Sequence, residues 1–316
     1  SATIASSKSQ KRSMLASSSG ASTSSSTQIG AGLVRNSAKI SATAVSACSP
    51  AQKAMLPGAA KSEPINAEAL NRAVDANFGG QGTCLTITDM GSGREVYVYG
   101  SNAVCMRPLP PCSTFKIANS LIGLDEGVIK PDEVIKWDGK PQAIKSWETD
   151  ANLETAFKRS MVPWFQRVAR QIGHDTYAKR LKAMTYGSGD PVGPVDQFWL
   201  GPEAGGGLTI STRQQADFLH RLYSSQLPVK AASVVTVTKI MVDETRGKAV
   251  MSGKTGTCSS IADGSRNVGW WVGRLYSPDR DLVFALSMEG QNALPGRELQ
   301  IRLKSAFAKA GLWPQS

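Results

Sequence analysis

Ser113 and Lys116, in the segment PPCSTFKIANS, stand three residues apart, a spacing that lets two side chains on one helix face meet. Serine becomes a nucleophile only when a base takes its proton. A lysine amine can do so if it is neutral or chemically modified, and an apolar pocket favours that state by disfavouring the ammonium form. Pro110 and Pro111 mark a helix start just before the serine. Free N–H groups and the positive end of the helix dipole there favour negative charge that develops nearby. The competing reading of so short a motif is an N-capping serine beside a solvated lysine, so other residues have to decide between them.

A second lysine raises a different chemistry. Gly253, Lys254 and Thr255, within AVMSGKTGTCSS, match the end of a phosphate-binding loop, which needs G-x-x-x-x-G-K-[ST] between a strand and a helix. Here the nearest earlier glycine, Gly247, lies six positions before Gly253 rather than five, and Lys248 follows it. The run NVGWWVGRLYS that comes next has the composition of a strand and not of a helix. Lys254 is therefore expected on a strand, serving something other than a nucleotide. A third segment, Ser160-Met161-Val162, lies between the two lysines in the chain.

The elements that must position these residues follow from periodicity. INAEALNRAVDANF has helical spacing through Ile65, Leu70, Val74 and Phe78, and TCLTITD and REVYVYG alternate on either side of the turn MGSG. After CMRPLPPC comes the helix STFKIANSLIGLDEGV, and from about Lys145 to Ile240 the patterns are mainly helical around a Gly- and Pro-rich loop at 186–207. Three β-like segments, KAVMSGKTG, VGWWVGRLYS and DLVFALSME, then precede the amphipathic helix RELQIRLKSAFAKAGL. A two-stranded hairpin is too small to stand alone, so it is expected to join the C-terminal strands. The fold class is α/β (α+β): a central antiparallel sheet flanked by helices, with a helical insertion over about 113–240 and a cleft where the two parts meet.

Composition narrows the partners. The formal net charge is +11, but residues 1–62 hold seven Lys or Arg and no Asp or Glu, which leaves +4 for 63–316. No basic stripe in that larger part calls for a nucleic acid. The Ser-rich, basic leader or linker at 1–62 is expected to be disordered, and 63–316 to form the folded domain. The leader lacks the apolar run of a secretory signal, and the weak lipoprotein-like match VSAC at Cys48 follows a polar stretch. Ser1 in place of Met points to a missing or processed start. No stretch is long enough for a transmembrane helix.

Five cysteines, Cys48, Cys84, Cys105, Cys112 and Cys258, contain no C-x-x-C pair, so neither a zinc site nor a complete disulfide framework is indicated. Cys105 and Cys112 bracket a proline-rich loop, which suits two free thiols as well as a bridge. His174 and His220 are the only histidines, which argues against a His-rich metal site and leaves few choices for a Ser-His-Asp triad. His174 reads as a surface or capping residue.

The company these segments keep resembles the class D serine β-lactamases, the oxacillinases, over nearly all of residues 65–312. PPCSTFKIANSLIGL looks like that family's nucleophile segment, SMVPWFQRVARQIG like its second motif and QFWL…GGGLTIST like its loop with a pocket tryptophan. SGKTGT…VGWWVGRL looks like its third motif, and LPGR supplies Arg297 where the family keeps a substrate-binding arginine. One motif departs: Tyr186-Gly187-Ser188 stands where the family usually has Tyr-Gly-Asn, which puts substrate spectrum in doubt more than reaction type.

The resemblance implies hydrolysis of a small β-lactam through an acyl-serine on Ser113. Neither S-D-N nor E-x-x-L-N is present, so the class A deacylation base is missing and another is required. The family's answer is a carbamate of Lys116 and carbon dioxide, with no metal or other cofactor, serving both acylation and deacylation. Val162 would keep that pocket dry and the Trp199 N–H would donate to the buried anion. Ser160 would relay a proton to the leaving nitrogen with Lys254 in support. Backbone N–H groups of Ser113 and Thr257 would take the acyl oxygen, and Thr255, Gly256 and Arg297 the substrate and its carboxylate. Met161, Trp164 and Leu200 are expected in the walls, or simply in the core. A bacterial periplasmic or secreted location is implied. A penicillin-sensing receptor domain, or a cell-wall peptidase that acylates without rapid turnover, stays open as the alternative.

Overall fold

Alternating apolar and polar positions in TCLTITD and EVYVY build the hairpin of β1 (Thr83–Asp89) and β2 (Glu95–Tyr99) in the computed structural model, which describes residues 63–80 and 82–315. Gly93 closes the turn at φ 68°, a left-handed value that suits glycine, and the Asp89 carboxylate accepts from Ser92 N at 2.7 Å. Before it, Asn66 caps α1 (Ala67–Phe78) by accepting from Ala69 N at 3.0 Å. The expected leader at 1–62, with Cys48, lies outside the described residues.

Four strands follow the helical part: β3 (Val242–Arg246), β4 (Ala249–Ser259), β5 (Asn267–Ser277) and β6 (Arg280–Gly290). The sheet order is β2-β1-β6-β5-β4-β3, with every neighbouring pair antiparallel. β3 is an addition to the three C-terminal strands read from the sequence. As an edge strand with the sequence VDETR it carries no apolar alternation to betray it.

β5 and β6 are apolar along most of their length because both faces are covered. Trp270, Val272, Val283 and Ala285 point to the core shared with the helical part, whereas Trp271, Leu275, Phe284 and Leu286 point to a second core. That second core holds α1 and the C-terminal α9, which spans Gly296–Lys309 and packs on α1.

The helical part lies between β2 and β3 in the chain. It comprises the short α2 (Asn102–Cys105), a 3-10 turn at Cys112–Phe115, α3 (Lys116–Asp125), α4 (Leu153–Lys158), α5 (Val162–Ile172), α6 (His174–Ala183), α7 (Thr212–Tyr223) and α8 (Ala231–Ile240). The helix expected to begin at Ser113 thus starts as a 3-10 turn and becomes α-helical only at Lys116. Cys112 enters it at φ 48°, and the prolines before it cannot donate to a regular first turn. His174 opens α6 and its Nε2 meets the Pro191 carbonyl at 2.8 Å, a local structural contact.

The cysteines differ from the sequence expectation. Cys84 is bonded to Cys105, and Cys112 to Cys258, so the possible Cys105–Cys112 bridge is replaced by two longer-range ones and a disulfide framework is present after all. Spacing along the chain misleads here because Cys105 and Cys112 each meet a strand cysteine that only the folded sheet brings near.

Candidate active site

The nucleophile turn is fastened from several elements. Leu109 exchanges backbone hydrogen bonds with Ile210, the Trp270 indole donates to the Pro110 carbonyl at 2.9 Å, and Gln215 on α7 donates to Thr114 Oγ1 at 2.7 Å. Side chains three apart eclipse on a 3-10 turn, and Lys116 Nζ lies 2.8 Å from Ser113 Oγ. Lys116 is fully buried, and the Phe165 ring centroid on α5 is 5.4 Å from its nitrogen. Burial in this apolar surround, and then the charge of Lys254, push its amine well below the usual lysine range. Burial thus favours the neutral amine beside the serine.

A second Ser–Lys pair faces it. Lys254, on β4, donates to Ser160 Oγ at 3.0 Å and to the Thr255 carbonyl at 3.0 Å, with the Phe157 ring 5.7 Å away. Ser160 sits in the turn between α4 and α5 at φ 53°, left-handed for a residue with a side chain, as Cys112 is beside Ser113. Burial, and then the charge of Lys158, lower the Lys254 pKa to about 7.

β4 presents a free edge to this pair. β3 pairs with it only as far as Ser252, so from Lys254 onward that edge carries no neighbouring strand among the described residues. The glycines of this strand are required by close packing. A Cβ on Gly256 would stand 3.1 Å from the Pro111 carbonyl oxygen and 3.2 Å from Thr114 N, and one on Gly253 would stand 2.7 Å from the Val272 carbonyl oxygen. Their bareness lets the nucleophile turn and β5 press against β4.

Thr257 is exposed, and its Oγ1 accepts from Gly296 N at 2.8 Å, which seats the start of α9 against β4. The next residue, Arg297, is exposed and donates to Gln300 Oε1 at 3.0 Å. Lys254, Thr255, Arg297 and Lys158 line a common cavity of about 150 Å³ with Asp243, a recess in which basic side chains outnumber the one acidic group, suited to a carboxylate.

The remaining expected residues divide. Trp199 is fully buried and stacks on Phe115 with centroids 5.4 Å apart, and its indole Nε1 has no hydrogen-bond partner. Val162 begins α5 half-buried, while Leu200 is half-buried against the main core. Met161 and Trp164 are buried and line a separate cavity of about 480 Å³ with Trp137, Trp147 and Pro163. Trp164 also donates to the Ala151 carbonyl at 2.9 Å. Ser188 bonds to the Thr209 carbonyl through its backbone N–H at 2.8 Å.

Residues that sequence reasoning missed are Phe165 over Lys116, Phe157 over Lys254, Gln215 under Thr114 and the Cys112–Cys258 bridge. Phe165 alone left a signal, since it lies one helical turn beyond Val162 on an amphipathic helix.

Comparison with known proteins places this arrangement. The model of the penicillin-binding protein transpeptidase domain matches residues 74–309. The chain is 43% identical to β-lactamase OXA-48 of Klebsiella pneumoniae over 180 residues, 57% of this chain and 65% of that one. It is 32% identical over 225 residues to the regulatory protein BlaR1 of Bacillus licheniformis, 71% of this chain but 36% of that one. Among solved structures, the class D β-lactamase YbXI from Nostoc superposes with TM-score 0.68 at 32% identity, covering 78% of this chain and 99% of that one.

Proposed function

Starting from a chain that belongs to the penicillin-binding protein transpeptidase domain family, and within it to the class D serine β-lactamases, we propose that it hydrolyses β-lactam antibiotics through an acyl-serine on Ser113. The observation that carries this reading is the 2.8 Å contact between Ser113 Oγ and a buried Lys116 whose pKa burial pushes well below the usual lysine range.

In this reading Ser113 attacks the ring carbonyl as its proton leaves along the contact to Lys116, and the bond from that carbonyl to the ring nitrogen breaks. Ser160 hands a proton to the departing nitrogen, and Lys254, 3.0 Å away, supports the transfer. The backbone N–H groups of Ser113 and Thr257 hold the acyl oxygen, a contribution of about 3–4 kcal/mol per donor. Thr255, Gly256 and Arg297 hold the substrate and its carboxylate, and Leu200 shapes a wall, whereas Met161 and Trp164 belong to the separate cavity. Lys116 serves again as base when water releases the acyl group.

Carbon dioxide bound to Lys116 would supply a carboxylate as that base. The residues fit such a group. Burial favours the neutral amine that carbamylation requires, and the buried Trp199 Nε1 in the same core has no acceptor among the described residues, which an anion would provide. Phe165 bounds the pocket on the apolar side, and Val162, one helical turn before it, would add to that side. No metal enters the mechanism. Two disulfides suit an oxidising compartment, and the proposed place of action is periplasmic or extracellular in a bacterium.

The test mixes the protein with a chromogenic β-lactam and follows turnover with intact mass in parallel. Rapid turnover is expected. Stoichiometric acylation without turnover would replace the hydrolase by a sensor domain, the second reading that the BlaR1 similarity favours. Stripping bicarbonate at low pH is expected to abolish activity and restoring it to recover activity. Indifference to bicarbonate would mean that Lys116 works as a free amine.

A further inference from the structure

Of the groups the mechanism leaves unused, the Cys112–Cys258 disulfide lies nearest to the chemistry. Cys112 directly precedes Ser113, and Cys258 directly follows Thr257. These are the two residues whose backbone N–H groups are assigned above to one acyl oxygen. They come from a 3-10 turn and a strand, and the bridge joins positions 146 residues apart in sequence. It therefore links the two halves of one anion hole with a single residue's offset on each side.

Other contacts hold the turn without doing this. Trp270 grips Pro110 from β5, and Gln215 grips Thr114 from α7. Neither belongs to β4, which carries Thr257. The turn also packs closely on the bare backbone of Gly256 in β4, a non-covalent contact where the bridge is a covalent one. The backbone at Cys112 is also left-handed, at φ 48°, a conformation disfavoured for an L-residue with a Cβ. Once the sulfur is cut free, that residue can relax, and Ser113 is the next in the chain.

We propose that Cys112 and Cys258 are positioning residues for the acyl oxygen: their disulfide holds the amides of Ser113 and Thr257 at the spacing one oxygen requires. The inference rests on the assignment of those two amides under Proposed function. Such donors act only within a narrow range of the developing oxyanion, and a misplacement of about 1 Å can cost on the order of 10²-fold in rate.

The molecule contains its own control. Cys84–Cys105 ties β1 to α2, and neither cysteine adjoins a residue assigned to the reaction. The experiment compares Cys112→Ala/Cys258→Ala with Cys84→Ala/Cys105→Ala and the unaltered chain. It is run well below each protein's unfolding temperature, with rates normalised to the serine that titrates. Two quantities are read: kcat/KM for a chromogenic β-lactam, and the inhibition constant of phenylboronic acid, whose serine adduct places an oxygen in the same hole.

For the first variant, kcat/KM is expected to fall by about 10- to 100-fold and boronate affinity by a similar factor. For the second, both stay within about twofold. A merely structural bridge would lower the titratable fraction or the unfolding temperature and leave the normalised values unchanged, and that outcome overturns the proposal. Boronate affinity separates this failure from failure of the enzymatic reading. If the unaltered chain binds boronate but does not turn over the β-lactam, the affinity ratio still judges the clamp. If it binds no boronate, the clamp and the acyl-serine reading fall together.

Discussion

The two Ser–Lys pairs use the same residue types for opposite ends. Ser113–Lys116 is local, made within one turn, and its lysine makes one hydrogen bond and faces an aromatic ring. Ser160–Lys254 is assembled from a turn and a strand 94 residues apart, and its lysine has a hydroxyl and a carbonyl to donate to. Burial is the first cause of the lowered pKa in both, with a neighbouring lysine second. Lys116 ends well below the usual range, and Lys254 near 7. A buried amine with few acceptors is left as a lone pair, fit to take a proton or bind carbon dioxide. A buried amine with two acceptors keeps a substantial protonated share at neutral pH, fit to support a proton donor. The surroundings, not the side chain, divide base from cation.

The largest effect should come from breaking the first pair. Lys116→Ala removes the base from both half-reactions, and kcat is expected to fall by about 10³-fold or more. Intact mass should show any acyl-enzyme that does form persisting for far longer. A variant that still turns over within tenfold of the unaltered chain would place the base elsewhere and dissolve the distinction between the pairs.

Breaking the second pair should cost less. Lys254→Met keeps the bulk but removes the cation, with an expected loss of about 10²-fold in kcat/KM. It also carries a signature in stability. Lys254 has a folded pKa of about 7 against an ordinary 10.5, so between those values the unfolded chain binds more protons than the folded one. Stability therefore rises with pH through that window, by up to about 1.4 kcal/mol per pH unit from this group. Thermal unfolding of bicarbonate-free protein between pH 7 and 10 measures the slope, and Lys254→Met should lower it by this group's share while the share of Lys116, which is also held low, remains. An unchanged slope would mean that Lys254 is not the group held low.

What the sequence disclosed and what it hid divide along the same line as the two pairs. Ser113–Lys116 was legible because three residues of spacing bring the side chains together in any helical turn. Lys254 was legible as a strand residue because VGWWVGRLYS follows it, and the antiparallel sheet followed from close-set strands. Its partner was not legible from physical pattern, since nothing local ties residue 254 to residue 160; only the resemblance joined them. The disulfides were hidden for the same reason, Cys112–Cys258 being set by how the turn lands on β4. At Gly256 a glycine in a strand announces a close approach without saying by what, and only the fold shows the nucleophile turn there. β3 was missed because VDETR gains its strand from pairing with β4, not from its own apolar pattern.

The smallest effect tests whether anything outside the pairs tunes them. Ser188 stands in the loop at 186–207 where the family usually has asparagine, a departure that puts substrate spectrum in question. In the fold that position is held by its backbone, Ser188 N donating to the Thr209 carbonyl at 2.8 Å, while Ser188 Oγ accepts from Thr209 N only at 3.4 Å. Gly187 fixes the bend, since a Cβ there would stand 2.0 Å from the Thr209 carbonyl oxygen. The Ser188 side chain itself is exposed. Ser188→Asn should therefore leave both the backbone bond and the turn intact, with kcat/KM changed by about twofold at most and stability by about 0.5 kcal/mol or less. Steady-state kinetics on two β-lactams of different side chain, with thermal unfolding alongside, check this. A tenfold change on either substrate would show that the loop reaches the Ser–Lys pairs, and the contrast between them would then have to include it.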